Sequence, residues 1–461
     1  LSPNGQWMAV SVNRVSDEGE LRIHRTDADS LVIVPFGSRP SFSSDGTWVA
    51  YSIGGSPDDR DAAREEDEPV HNELGLLNLR TGEQTSRNDF ESFAFSGDGR
   101  FIALRRYKPK DKESGGVDVV VHDLSTGSDM SFGNISEMAW QDDASRLALL
   151  TDADEQVGNG VILYEPSSGR IRSLDADEAI YRSLSWREDA ADLVVYKTFD
   201  DEAFEDTAHV ALAWRGLDDD SPDAFTLDPQ ADSYFPGSMR IVEYRDPSWS
   251  DDGETLFVGI QARRSASVVE EAAEDDDDDE GAPGVEVWHS RDVDPIPQQR
   301  VREIRLRQIN HLSAWNMGAG SFVQLGDDLT ESTEVIGGGR YVIGHDETPY
   351  EEDAMFRQQY LDLYAIEVAS SEKTLIEDRV TIQFGGSPDG RYVLWFEAED
   401  YFSYDLRSGE KHNITEGVST TFVNLDVTPT REQMPSFGVA GWLDNDSAVL
   451  LNDQWDVWEV Q

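Results

Sequence analysis

One phrase recurs along the chain and constrains its fold more than any other feature. It consists of an apolar or aromatic residue, then Ser-x-Asp-Gly or a worn form of it, then an apolar strand. Clear copies are LSPNGQWMAV (1–10), FSSDGTWVAY (42–51), FSGDGRFIAL (95–104), WSDDGETLFV (249–258) and GSPDGRYVLW (386–395). Weaker copies are WQDDASRLAL (140–149), WREDAADLVV (186–195), IGGGRYVIG (336–344) and GWLDNDSAVLL (441–451). Asp-Gly and Asn-Gly provide the positive φ of a tight hairpin turn, and the preceding Ser or Asp can hydrogen-bond the turn backbone. The flanking residues are β-branched or aromatic, as strands prefer.

A second signal follows most copies. LGLLNLRTGE (74–83), VDVVVHDLSTGS (117–128), GVILYEPSSGR (160–170) and YFSYDLRSGEK (401–411) each read as a strand closed by a polar turn containing Gly. One unit is therefore strand, Ser-x-Asp-Gly turn, strand, loop, strand, Gly turn, strand. This is a four-stranded antiparallel meander, repeated about nine times at periods of roughly 45–60 residues. Such a sheet cannot bury both faces alone, and stacking the sheets around an axis solves this, so the repeat predicts an all-β protein, a β-propeller. A pair of β-sandwiches is the competing architecture, but it does not need the same turn in every sheet. About eight blades are expected, with seven to nine allowed by the worn copies. The first unit lacks the strand before its turn, and nothing follows the strand near 455–460. The whole of 1–461 reads as one propeller cut from a longer protein, with any targeting signal outside it.

The chain carries 93 acidic residues against 38 Lys and Arg, a formal net charge of −55, while aromatics make up 10% of it. That aromatic content argues for a folded protein rather than an acidic disordered one. Acid spread along the whole length reads as a solvated surface suited to high salt, and it argues against nucleic acid as a partner. The absence of Cys excludes disulfides, thiolate metal sites and a Cys nucleophile. No apolar run is long enough for a membrane span. No cofactor is expected.

The run EEAAEDDDDDEGAPG lies within an acidic insertion, 268–284, that reads as a flexible solvated loop. It lacks the spacing of a calcium loop. Further polar insertions fall at 54–72, 108–116, 200–207 and 218–238, on loops between strands, where binding functions commonly reside. Arg300, Arg302, Arg305 and Arg307 form a basic stretch in this acidic chain. Their spacing fits one strand face broken by a shift, or a short helix. Ion pairing with neighbouring acidic blades is the plain reading, and an inter-domain contact or carboxylate-binding site the functional one.

Catalytic motifs are missing. The nearest approach to G-x-S-x-G is Gly385-Gly386-Ser387-Pro388-Asp389, which lacks the final Gly and belongs to a repeat turn. The eight His residues make neither HxxxH nor HExxH, and no phosphate-binding glycine loop is present. Sialidase Asp boxes separate Asp from Gly by one residue, whereas Asp45-Gly46 and Asp252-Gly253 are adjacent.

FSSDGTWVAY followed by GLLNLRTGE resembles the N-terminal propeller of prolyl oligopeptidase-type serine peptidases. VEVWHSRDVDPIPQQRVRE (285–303), HDETPYEEDAMFRQQYLDLYAIEV (345–368) and FGVAGWLDNDSAVLLNDQWDVWEV (437–460) resemble stretches of large bacterial members of that group. The resemblance spans essentially the whole chain. It implies a partner within the same polypeptide, a C-terminal α/β-hydrolase domain carrying Ser, Asp and His, with the propeller restricting peptide substrates. No catalytic residue then falls in 1–461. Dipeptidyl-peptidase relatives hold the substrate N-terminus with a propeller Glu pair. Glu351 and Glu352 are the candidates for that role here, although Tyr350 and Asp353 depart from the relatives' helix motif and a solvated loop is the plainer reading. Arg300 and Arg302 are the other substrate-binding candidates. The alternative function is a stand-alone binding propeller of Tol-system or WD type. A propeller hydrolase with its own funnel site is more remote. The resemblance points to a periplasmic or secreted enzyme, and the acid content to a high-salt organism.

Overall fold

The computed structural model describes residues 1–13, 19–66, 69–110, 112, 115–266, 296–330, 332–354, 358–427 and 434–461, excepting the side chains of Glu66, residues 296–299, Glu352 and Asp353. The acidic insertion 268–284 therefore lies outside the described residues. The chain forms two compact units, Leu1–Phe199 with Leu212–Ala224, and Asp200–Ala211 with Phe225–Gln461.

Both units are β-structure made from the repeated meander. In the first, a three-stranded sheet (Trp7–Val12, Glu20–Arg25, Leu31–Pro35) precedes a four-stranded one (Gly37–Phe42, Trp48–Ile53, Glu73–Asn78, Gln84–Arg87). The next two meanders run together into a seven-stranded sheet because one 12-residue strand, Asp129–Trp140, closes one and opens the other. Asn134, at φ 58°, marks the break between its two roles. In the second unit, four-stranded sheets are built from 332–380 and from 382–413, and the final sheet has three strands, Val439–Trp442, Val449–Asn452 and Val457–Val460. The short first and last sheets are those the repeat predicted.

Side-chain alternation along each central strand explains the packing. In Trp48–Ile53, Val49 and Tyr51 join Leu21, Ile23 and Leu77 in one core cluster, whereas Ala50 joins Leu74, Phe90 and Ile102 in another. Successive residues of a strand point to opposite faces, so every inner sheet contributes to two cores. The second unit repeats the pattern. Val393 and Trp395 pack with Ile343 and Leu363, while Leu394 and Phe396 pack with Val449 and Leu451. The fold is thus all-β, made of antiparallel meanders stacked face to face as the blades of a β-propeller are. No helix among the described residues is long and apolar enough to cross a membrane.

Candidate binding face

Each sheet has two ends of different character. The Ser-x-Asp-Gly turns and the Gly turns lie at one end. In the second sheet Ser43 Oγ donates to Asp45 Oδ1 at 2.6 Å and accepts the Trp48 N–H at 2.9 Å, while Gly46 takes φ +63°. Ser96–Asp98 with Phe101, and Ser250–Asp252 with Thr255, repeat the geometry. The fifth clear copy departs from it: Ser387 Oγ donates to Asp446 Oδ2 of the next sheet at 2.5 Å. These hydroxyls and carboxylates are occupied by turn backbone, which makes them structural rather than catalytic.

The Gly turns carry a further link, from an Asp at their start to an Arg of the Ser-x-Asp-Gly turn. Asp123 accepts the N–H groups of Ser125 and Thr126 with one oxygen and Arg100 with the other, at 2.8 Å. Asp405 does the same for Arg407, Ser408 and Arg391. Burial alone would raise the pKa of Asp123, but the hydrogen bonds from Arg100, Ser125 and Thr126 outweigh it and hold the carboxyl well below its usual range.

The long insertions leave the opposite end of their sheets. Those at 54–72, 108–116, 200–207 and 263–310, and the connection 347–360, each join the second strand of a meander to the third. Three are not simple loops. Residues 54–72 include the helix Pro57–Glu66, 263–310 end in the helix Ile296–Arg307, and 347–360 include the short helix Glu351–Ala354. Residues 218–238 differ again, since Asp223–Leu227 is a strand. The return of the first insertion is held by His71, which stacks on Tyr107 with ring centroids 4.0 Å apart.

Arg300 and Arg302 sit exposed on the helix Ile296–Arg307, so the spacing of these arginines encodes a helix rather than a strand face. Arg307 pairs with Glu303 on the same helix at 2.6 Å, a local pairing one turn away. Gln261 Nε2 caps the helix end by donating to the carbonyls of Arg307 and Ile309. Glu351 is exposed and opens the short helix Glu351–Ala354, not a loop; Glu352 follows it, with its side chain outside the described residues. Beside them Tyr350 donates to Asp362 Oδ1 at 2.6 Å, and the Arg379 guanidinium lies 4.5 Å from the Tyr360 ring. Partial burial and the Asp362 carboxylate push the Tyr350 hydroxyl up to about 12. All four candidates thus lie on insertion-end connections.

A second group at this end was not legible in the sequence. Arg263 is 8% exposed at its side chain, its Nη1 lies 3.1 Å from Asp201 Oδ2, and its guanidinium lies 3.6 Å from the centre of the Phe204 ring. Arg240, 5% exposed, donates to the Thr207 carbonyl and to Gln261 Oε1. Asp206 accepts the backbone N–H and guanidinium of Arg264. Burial would raise the Asp206 pKa, but Arg264 and Arg240 together lower it. Among the described residues, no cluster of His, Asp or Glu is arranged to hold a metal ion.

No family model and no curated protein matches the sequence. Solved structures do resemble it. The β-propeller domain of the Trilobed protease from Pyrococcus furiosus is 15% identical, with 82% of this chain and 94% of that one covered and a TM-score of 0.34. Acylaminoacyl peptidase from Pyrococcus horikoshii is also 15% identical, over 82% of this chain and 52% of that one, at a TM-score of 0.33. A eukaryotic initiation factor is 13% identical over 89% and 87%, at 0.44.

Proposed function

We propose that this chain is the propeller region of a prolyl oligopeptidase-type serine peptidase, and that it admits and positions peptide substrates for an α/β-hydrolase domain in the same polypeptide. The observation that carries this reading is the division of labour between the sheet ends. The turn end is short and saturated with internal hydrogen bonds. Within each sheet the insertions, with their exposed helices, arginines and acidic side chains, leave by the other end. A propeller that gates entry needs variable, accessible connections carried on rigid sheets. The peptidase-like stretches at 285–303, 345–368 and 437–460 give those connections their assignment, and the first two stretches include insertion-end ones.

The reading identifies the chain as non-catalytic by itself, with the nucleophile elsewhere. The test is the continuation of the reading frame. A G-x-S-x-G followed by Asp and then His within about one domain length, roughly 250 residues, supports the proposal. A stop codon soon after Gln461 sinks it in favour of a stand-alone binding propeller. Peptidase and glycosidase assays on this chain alone are expected to show no turnover, and turnover would overturn the assignment.

A further inference from the structure

Arg263 is buried with three of its five guanidinium N–H donors unused among the described residues. Its Nη1 is taken by Asp201, but Nε and Nη2 are shielded from solvent and have no hydrogen-bond partner among the described residues. Those two N–H groups form one edge of the guanidinium, the parallel two-donor fork that matches both oxygens of a carboxylate. Buried donors in native proteins are nearly always satisfied, so a vacant fork calls for an acceptor. The Nε of Arg240 is likewise buried without a partner. Arg240 lies opposite Gln261 in the pairing of Met239–Ile241 with Thr255–Ala262, and Arg263 continues that strand two residues beyond Gln261, its N–H donating to the Ser238 carbonyl. The two guanidinium-bearing residues therefore start from the same face of the sheet.

We infer that Arg263, seconded by Arg240, is a carboxylate-binding site at the insertion end of this sheet, and that the ligand it suits is the C-terminal carboxylate of a peptide. The carboxylate part follows from the fork; the choice of a peptide rests on the function proposed above. The site is closed by the 200–207 segment. Phe204 covers the guanidinium face, Asp201 holds Nη1, and this segment pairs with the strand's continuation through Phe204 and Ser265. Entry of a ligand lifts Phe204 and brings a second carboxylate to the edge that Asp201 does not use. Lysine at 263 would keep the charge but lose the fork.

Calorimetric titration of the protein in about 1 M KCl, where the Debye length is about 3 Å and the net charge is screened, tests this. The probes are an N-acetylated tripeptide with a free C-terminus, its C-terminal amide, and acetate. The acid is expected to bind at least about tenfold more tightly than the amide, and Arg263→Lys to abolish that difference. Phe204→Ala is expected to speed association of the acid. Equal binding of acid and amide by the unaltered protein, or binding of neither the acid nor acetate, overturns the site without reliance on a variant. Acetate binding that is lost in Arg263→Lys, with no tripeptide binding, upholds the carboxylate site and counts against the peptidase reading alone.

Discussion

Ser387 and Asp446 stand 59 positions apart and are joined by a 2.5 Å hydrogen bond, with the hydroxyl donating to the carboxylate. Both are buried, at 1% and 6% exposure. Asp446 also accepts the N–H groups of Asp389 and Arg391. In the other clear copies, the acid or amide two residues after the serine serves its own turn, as Asp45 does for Ser43. Here an acid from the following sheet has taken over, so two successive sheets share one turn.

This substitution of partners predicts a reversal between repeats. Asp45→Ala removes the acceptor for Ser43 and Thr47 and is expected to cost about 1 kcal/mol. Asp389→Ala leaves the Ser387 acceptor in place and is expected to stay within about 0.5 kcal/mol. Asp446→Ala strands the buried Ser387 hydroxyl and the Asp389 N–H, while the Arg391 N–H keeps Ser387 Oγ, and is expected to cost about 1–3 kcal/mol. Urea midpoints at constant salt give the order. A loss for Asp389→Ala equal to that for Asp446→Ala would show that the turn still relies on its own acid.

The Ser387 turn makes a second forecast on its other side, against the preceding sheet, through two glycines. A Cβ on Gly337 would lie 1.6 Å from the Pro388 carbonyl oxygen, and one on Gly390, at φ +65°, would lie 1.8 Å from the Gly337 oxygen. Gly127, at φ +75°, meets nothing within 4 Å. Gly127→Ala therefore carries only the left-handed backbone cost, about 1–2 kcal/mol. Gly337, whose φ is not left-handed, carries no such backbone cost, but Gly337→Ala must push two turns apart and is expected to cost more than about 3 kcal/mol, beyond ordinary point substitutions. Comparable melting temperatures for the two variants would refute the close approach.

Acid should act on the Gly turns through Asp123 and Asp405. The folded pKa of each lies below the ordinary value of 3.8, since hydrogen bonds from Arg100 or Arg391 and the turn backbone outweigh burial. A depressed carboxyl pKa contributes stability that is present above the unfolded value and lost as pH falls through the folded one. Both turns are therefore expected to be intact above about pH 4 and to weaken below it. The difference in melting temperature between wild type and Asp123→Asn should shrink as pH drops below that point. A difference constant from pH 6 to pH 3 would remove the linkage.

Much of this architecture was written locally. Ser43, Asp45 and Gly46 lie within four residues, so their turn chemistry could be read directly, and alternation around Val49, Ala50 and Tyr51 showed a strand buried on both faces. The Arg100–Asp123 link was legible in principle, because Arg follows Asp-Gly at 100 and 391 and Asp opens the Gly turn at 123 and 405. Where the second repeat has Thr47 instead of Arg, Asn78 replaces the Asp, and it accepts the Arg80 and Thr81 N–H groups without a charge partner. The candidate site was harder to see. Arg263 meets Asp201 and Phe204 only because an insertion of one meander pairs with the start of another, and no local pattern encodes that meeting. The run Arg300 to Arg307 was ambiguous for a different reason: charged residues alternating with Val301, Ile304 and Leu306 suit an exposed helix as well as a strand.

The acid content makes its own forecast. With a net charge of −55, self-repulsion opposes compaction, and salt screens it. Circular dichroism is expected to show folded β-structure in molar KCl and its progressive loss on dialysis into millimolar salt. A melting curve unchanged between the two would separate the charge from any role in adaptation to salt.

The gating role can be tested at the first insertion. Ile53 and Glu73 are directly paired across their two strands, so the residues between them are not needed to set the register. Replacing 55–70 with an Asn-Gly turn removes the exposed helix Pro57–Glu66 while keeping His71 stacked on Tyr107. Lengthening or shortening such a surface connection alters loop-closure entropy by only about 1 kcal/mol, so the variant is expected to fold. On the proposed peptidase reading, in a polypeptide that also carries the hydrolase domain, the trimmed insertion is expected to raise kcat/KM for a long peptide relative to a short one by at least about fivefold, because entry rather than chemistry would be what it restricts. An unchanged ratio, with both substrates still cleaved, would mean that this insertion does not guard the route to the active site.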